Sequence, residues 1–160
     1  PEGVRIINVN SADEMYKKTL ENLPVDVAVF AAAVADFKIK GINKQKIKKD
    51  NFKKLEIEKN KDILDYTSKH NKFRPKIVIG FAAETNNLEE NSRKKLNEKN
   101  CDWIIANDVS DTKIGFDSEY NEVKIFEKNK KITENISFNT KEMIAKRLVE
   151  KISNELKANG

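Results

Sequence analysis

The chain is poor in the residues that usually announce special chemistry: in 160 residues it has one Cys, one His, one Trp, three Pro and five Gly. A single Cys excludes an intramolecular disulfide. The lone histidine, His70, stands in a polar connection without a Ser-x-Gly or Cys context, which argues against a Ser-His-Asp triad or a His-based metal centre. No apolar stretch reaches the roughly 18 residues that a transmembrane helix needs, and the start, Pro1-Glu2-Gly3-Val4-Arg5, has no signal-peptide pattern. There is no linker rich in Pro, Gly or Ser and no repeat at a solenoid period. Gly-x-Gly-x-x-Gly and the P-loop are also missing, so any phosphate is cradled by other means. Together these absences lead to the expectation of one soluble, reduced, cytoplasmic domain over residues 1–160, with no membrane association.

What is present is charge and clustered apolar residues. Charged residues make up 36% and hydrophobic ones 38%, and the apolar residues fall into runs, which disordered chains do not show. A chain this long buries about two-thirds of the surface its unfolded form would expose. The net charge of +5 raises the question of nucleic acid. However, 26 acidic residues interleave with 31 basic ones, and the few aromatics do not alternate with Lys as a stacking platform would require. These features argue against a dedicated nucleic-acid binder and leave open a small polyanionic ligand bound by only part of the Lys surplus.

The order of elements points to a fold class. Arg5 to Val9 reads as a short strand, and Ser11 with Glu14 forms a capping-box arrangement that opens a helix carrying Ala12, Met15, Tyr16, Thr19, Leu20 and Leu23 on one face. Val25 to Val34 reads as a strand buried on both faces, as in a parallel sheet. Residues 37–54 are polar, Lys-dense and aperiodic, and Leu55 to Glu58 form a small strand. Asp62 to Lys69 look helical, Pro75 to Ala83 a second apolar strand, Asn86 to Asn100 a charged helix, and Cys101 to Ala106 a third strand. Val123 to Phe126 and Ile132 flank a turn, which predicts an antiparallel hairpin, and Thr140 caps a last helix with Ile144, Leu148, Ile152 and Leu156 in one stripe. Repeated strand-helix-strand order predicts an α/β fold, Rossmann-like and doubly wound, with a mostly parallel sheet, a C-terminal antiparallel hairpin and a final helix.

In such sheets ligands bind outside the carboxyl ends of the strands. Three ends stand out: Ala31 to Asp36, Gly80 to Glu84, and Ala106-Asn107-Asp108. Small residues there admit either a ligand or a crossing helix. Asp36 and Glu84 are placed for magnesium or ribose, or for capping the next element. Lys44 to Lys49 form a basic loop suited to phosphate oxygens, or merely solvated. Lys95 and Lys99 share one helix face and would hold an anion, or complement the helix dipole. Cys101 reads as an inert core thiol and Trp103 as core.

Five segments in order, Ala31-Ala32-Ala33-Val34-Ala35-Asp36, Lys46-Ile47-Lys48-Lys49, Asn60 to Ile63, Gly80-Phe81-Ala82-Ala83-Glu84-Thr85-Asn86 and Ala106-Asn107-Asp108-Val109-Ser110, resemble phosphopantothenoylcysteine synthetase. The likeness is to the bacterial CTP-dependent form, usually the C-terminal half of a bifunctional coenzyme A biosynthesis protein, and it covers nearly the whole chain. It implies a phosphopantothenate–cysteine ligase in which CTP activates 4'-phosphopantothenate as an acyl-cytidylate with release of pyrophosphate, and cysteine then displaces CMP. Phe30, Ala31, Ala32, Asp36, Lys61, Asp62, Ile63, Leu64 and Phe81 would line the nucleotide site. Lys46 would be the catalytic lysine on a flap, and Lys95 and Lys99 would also contact CTP. Mg2+ would accompany CTP through ligands that the sequence does not identify.

The resemblance further implies a homodimer, a fused or associated phosphopantothenoylcysteine decarboxylase, and FMN only where such a domain lies upstream. Members of the family begin with a strand, a glycine-rich phosphate-binding turn and a helix that do not precede Arg5, so the domain is expected to be N-terminally incomplete relative to the family. The alternative is a non-catalytic nucleotide-binding α/β module that binds CTP without completing the reaction.

Overall fold

The computed structural model describes residues 2–41, 54–110 and 118–158. Its centre is a five-stranded sheet in the order β1 (Val27–Phe30), β4 (Ile77–Glu84), β5 (Trp103–Asp108), β6 (Tyr120–Glu127) and β7 (Glu134–Thr140). The first three strands are parallel, with Phe30 beside Gly80 and Gly80 beside Ile104, while β5–β6 and β6–β7 are antiparallel. The parallel sheet, the C-terminal hairpin and the final helix are thus as predicted. A separate two-stranded ribbon, β2 (Phe37–Ile39) with β3 (Ile57–Lys59), stands between β1 and the helix α2 (Ile63–Ser68).

Both faces of the sheet are covered, and strand alternation divides the core between them. On one face Ile77 and Ile79 of β4, Trp103 and Ile105 of β5 and Ile125 of β6 pack with Ile144 and Leu148 of α4 (Lys141–Ala158). On the other, Val78, Ala82, Ile104 and Phe126 pack with Leu96 of α3 (Leu88–Lys99) and Leu64 of α2. Because β4 and β5 are buried on both sides, their sequences are apolar runs without visible alternation.

The starts of α1 and α4 follow their capping residues. Ser11 Oγ accepts from the Glu14 N–H, and the Glu14 carboxylate accepts from the Asn10 N–H, fixing the start of α1 (Ala12–Glu21). Thr140 Oγ1 accepts from the Met143 N–H at the start of α4.

Three expectations change. The segment Arg5 to Val9 forms no strand: Val4 and Ile6 are exposed, and no described strand lies beside them to complete the backbone pairing. The Val25–Val34 run contributes only β1, which is a half-buried margin strand because it pairs with β4 alone. The polar stretch after Asp36 contains β2, whose three residues are too few to show a period.

Candidate functional site

A cleft of about 450 Å³ opens at the carboxyl ends of β1 and β4, walled by α2, α3 and the root of the ribbon. Of the residues implied in nucleotide binding, Phe30, Ala32, Asp36, Lys61, Asp62, Ile63, Leu64, Phe81, Lys95 and Lys99 all line it. Ala31 lies between two lining residues without lining the cleft itself. Lys46 falls outside the described residues, as does the rest of the Lys44–Lys49 run.

The α2 wall is held by Asp62, whose two oxygens do different work. Oδ1 accepts from the Asp65 N–H at 2.8 Å and caps α2, while Oδ2 meets Lys99 Nζ at 2.7 Å. Burial pushes the Asp62 carboxyl up, yet the Asp65 N–H, the Lys99 hydrogen bond and the charges of Lys99 and Lys95 leave it below its ordinary value. The same hydrogen bond raises Lys99 above the usual lysine value. The Ser68 hydroxyl donates to the Lys99 carbonyl, so α2 and α3 are stitched together behind the cleft.

On α3 the lysines differ in what holds them. Lys94 pairs loosely with Glu98 at 3.9 Å, and Lys99 is committed to Asp62. Lys95 makes no ion pair among the described residues. Lys61 Nζ sits 4.4 Å from the Tyr16 ring centre, a cation–π contact that draws it toward α1. In all, four cations and three carboxylates line the cleft, and only part of the positive charge is already neutralised by neighbours.

Gly80 settles which reading of the small residues holds at that strand end. A Cβ there would lie 2.6 Å from Leu64 Cδ2 and 2.9 Å from Ile104 Cδ1, so the glycine admits the side chain of the crossing helix α2 rather than a ligand. At the other strand end Ala32, Val34 and Ala35 do face the cleft. Glu84 Oε2 accepts from Asn91 Nδ2 at 2.9 Å, and so braces the start of α3.

The remaining reactive groups are structural. His70 Nδ1 accepts from the N–H groups of Lys72 and Phe73, and its ring stacks on Phe73. Cys101 is fully buried, and that burial pushes its thiol up to about 11, which suppresses thiolate chemistry. Among the described residues no group of three or more His, Cys, Asp or Glu could hold a metal ion, and no helix is long and apolar enough to cross a membrane.

Met15, Asn91, Lys94 and Glu98 line the cleft without having been singled out in the sequence, while Val34, Ala35 and Asn60 fall inside segments that carry the resemblance but had no role of their own there. Helical spacing carries a signal for three of them: Asn91, Lys94 and Glu98 share a face of α3 with Lys95, one step round from the apolar Leu88, Ser92 and Leu96 stripe.

Parallel strands layered between helices, with a cleft lined by charged side chains at their carboxyl ends, define the chain as an α/β domain with its concave surface where such sheets place their sites. This chain belongs to the family described as the DNA/pantothenate metabolism flavoprotein C-terminal domain, which it matches over residues 1–156. The coenzyme A biosynthesis bifunctional protein CoaBC of Borreliella burgdorferi is 45% identical over 132 residues, covering 80% of this chain and 33% of that protein. The protein of the same name from Vibrio parahaemolyticus is 37% identical over 156 residues, or 95% of this chain and 38% of the other. The chain therefore spans little more than a third of the length of these relatives. The crystal structure of a CoaBC C-terminal domain matches 99% of this chain and 69% of its own, at 30% identity and a TM-score of 0.76.

Proposed function

We propose that this chain is the phosphopantothenate–cysteine ligase part of a coenzyme A biosynthesis protein, using CTP to join 4'-phosphopantothenate and cysteine. The observation that carries this reading is the cleft, which gathers Phe30, Ala32, Asp36, Lys61 to Leu64, Phe81, Lys95 and Lys99 from four parts of the sequence onto one surface. Membership in the family supports it, and the names of the relatives agree.

In the proposed reaction a carboxylate oxygen of 4'-phosphopantothenate attacks the α-phosphorus of CTP, and the bond to the β-phosphate breaks with loss of pyrophosphate. The cysteine amine then attacks the acyl carbon, loses a proton and releases CMP. Both substrates are anionic, so their approach needs cations. Lys95 is the cation most available to the triphosphate because it makes no ion pair among the described residues, whereas Lys99 would be shared with Asp62. Mg2+ characteristically uses one or two carboxylates together with phosphate oxygens, and Asp36 is a lining carboxylate that fits that demand. When bound, the ion would screen charge on the triphosphate. Phe30 and Phe81 offer apolar surface for the base. Lys46 is proposed to stabilise charge on the acyl-cytidylate, and the active form to be a homodimer. A phosphopantothenoylcysteine decarboxylase fused upstream would bring its own FMN.

The test is to incubate the chain with CTP, Mg2+ and 4'-phosphopantothenate and assay pyrophosphate, then add cysteine and assay the amide. Release of pyrophosphate, with turnover falling much more than CTP affinity in Lys46→Gln, is the expected result. CTP binding without pyrophosphate would instead make the chain a nucleotide-binding module, and full activity in Lys46→Gln would remove that lysine from the chemistry.

A further inference from the structure

The Asp62–Lys99 ion pair is not explained by the packing around it. Asp62 Oδ1 caps α2 through the Asp65 N–H, and that cap needs one oxygen only. The other oxygen holds Lys99 Nζ at 2.7 Å. Docking of α2 on α3 does not require this second contact, because the Ser68 hydroxyl already donates to the Lys99 carbonyl and Arg74 joins the Ser68 and Asn100 carbonyls. Nor is it a large source of stability. The Lys99 and Asp62 side chains are 28% and 45% exposed, and ion pairs open to water contribute little.

What the pair does fix is the direction of the Lys99 side chain. Lys99 is the last residue of α3, at a helix end, where the backbone frays, and its ammonium rides on a long flexible stem. Ordering such a side chain at the moment of binding costs affinity, and ordering it beforehand removes that cost. Lys95 lies one turn earlier on the same face, and like charges at that spacing repel. Asp62 lines the cleft with both lysines, and the charges of both bear on its carboxylate. It is the counter-charge that keeps the two ammonium groups on one side of the cleft. Glu98 does not take this part: it adjoins Lys99 in sequence, where helix neighbours do not face each other, and it meets Lys94 instead. An ammonium has several N–H donors and no acceptor, so Lys99 can keep Asp62 on one and offer another to a ligand oxygen.

We infer that Asp62 is a positioning residue of the nucleotide site: its carboxylate holds the Lys99 ammonium in the cleft beside Lys95, so that the two lysines meet the acceptor oxygens of the nucleotide already in place. This rests on the proposed use of CTP and deepens it, since it assigns the group that makes Lys99 ready for the ligand.

The two oxygens of Asp62 allow its two tasks to be separated. Asp62→Asn keeps a capping oxygen, as Asn serves that position as well as Asp does, but loses the charge that holds Lys99. Asp62→Glu keeps the charge and gives up a favoured capping residue. Calorimetric titration of the full chain with CTP, together with the unfolding temperature of each variant, reads both. Asp62→Asn is expected to unfold near the wild-type temperature and to bind CTP about tenfold more weakly. Asp62→Glu is expected to unfold at a lower temperature and to recover most of the wild-type affinity. In a double-mutant cycle Lys99→Gln should weaken CTP binding about tenfold in the wild type and by no more than about twofold in Asp62→Asn. Wild-type or tighter binding by Asp62→Asn overturns the inference, because the carboxylate would then only repel the ligand. Affinity that follows the unfolding temperature through both variants also overturns it, leaving Asp62 a cap, as does an equal cost of Lys99→Gln in both backgrounds. If the wild type binds no CTP, the proposed function fails and the inference with it. If CTP binds and any of these contrary results is found, the inference fails alone.

Discussion

The centre of the sheet and its β1 margin are made of similar residues put to opposite uses. In β4, β5 and β6, Val78, Ile79, Ile104 and Ile125 are completely buried. At the margin Val29 is 49% exposed, and on the ribbon Phe37 and Ile57 are 53% and 66% exposed. The centre has neighbours on both edges and helices on both faces, so its apolar side chains become stability. The margin has a paired strand on one side only, and beside it stand the ribbon and the open cleft. The part of the molecule with fewest packing constraints is the part that borders the charged cleft, and that division makes separable predictions.

The largest effect should come from the centre. Phe126→Ala removes a fully buried ring from the α3 face and should cost about 3–5 kcal/mol in urea unfolding. An effect below about 1 kcal/mol would mean that this face is not close-packed.

Next is the ion cluster at the far end of β6. The nearly buried Glu127 carboxylate meets Lys151 at 2.9 Å and Lys130 at 2.8 Å, and Lys151 also reaches Glu134. Glu127→Ala leaves Lys151 with Glu134 but strands the site's inner half, and should cost about 1–3 kcal/mol. Burial pushes the Glu127 carboxyl up, while Lys130 and Lys151 more than offset it, so the folded value is lowered. A group depressed in the folded state stabilises above its unfolded pKa and loses that contribution as pH falls through the folded one. Acid titration of stability should therefore show a loss below the ordinary carboxylate range in the wild type that is reduced in Glu127→Gln.

Gly80→Ala tests whether the two regions are mechanically joined, because the new methyl would strike Leu64, a cleft residue, from the central strand. We expect a loss of about 1–3 kcal/mol from overpacking, together with weaker CTP binding. Destabilisation with unchanged binding would show the regions to be independent.

The smallest stability effect belongs to the cleft itself. Lys95→Gln should leave unfolding within about 0.5 kcal/mol of wild type, as surface changes usually do. The same variant should weaken CTP binding about tenfold, with a shallower dependence on salt. A drop in stability without a drop in affinity would reverse the assignment.

The same contrast explains what could be read in the sequence. β4 and β5 are legible as unbroken apolar runs, and α4 through Ile144 and Leu148, because burial on defined faces imposes a pattern. The margin imposes none. Apolar residues of Val25 to Val34 and Arg5 to Val9 look like core in sequence, yet their burial depends on neighbours, and neighbours are a property of the fold. The site follows suit. Lys61 to Leu64, Phe81, Lys95 and Lys99 came from motif resemblance, and the structure draws them to one cleft. The two bonds by which Asn60 holds the Asp36 and Ala35 carbonyls could not be anticipated, since they join residues 24 and 25 positions apart. Helical spacing marks Lys99 as an anion ligand or a dipole partner, and its hold on Asp62 follows from neither.

The most direct test of the central claim is hydrogen–deuterium exchange of the chain with and without CTP and Mg2+. Slower exchange in peptides spanning 30–36, 60–64, 81–84 and 91–99, with β6, β7 and α4 unchanged, is the predicted result. Protection confined to β6, β7 and α4, or none at saturating CTP, would contradict the placement of nucleotide in the cleft.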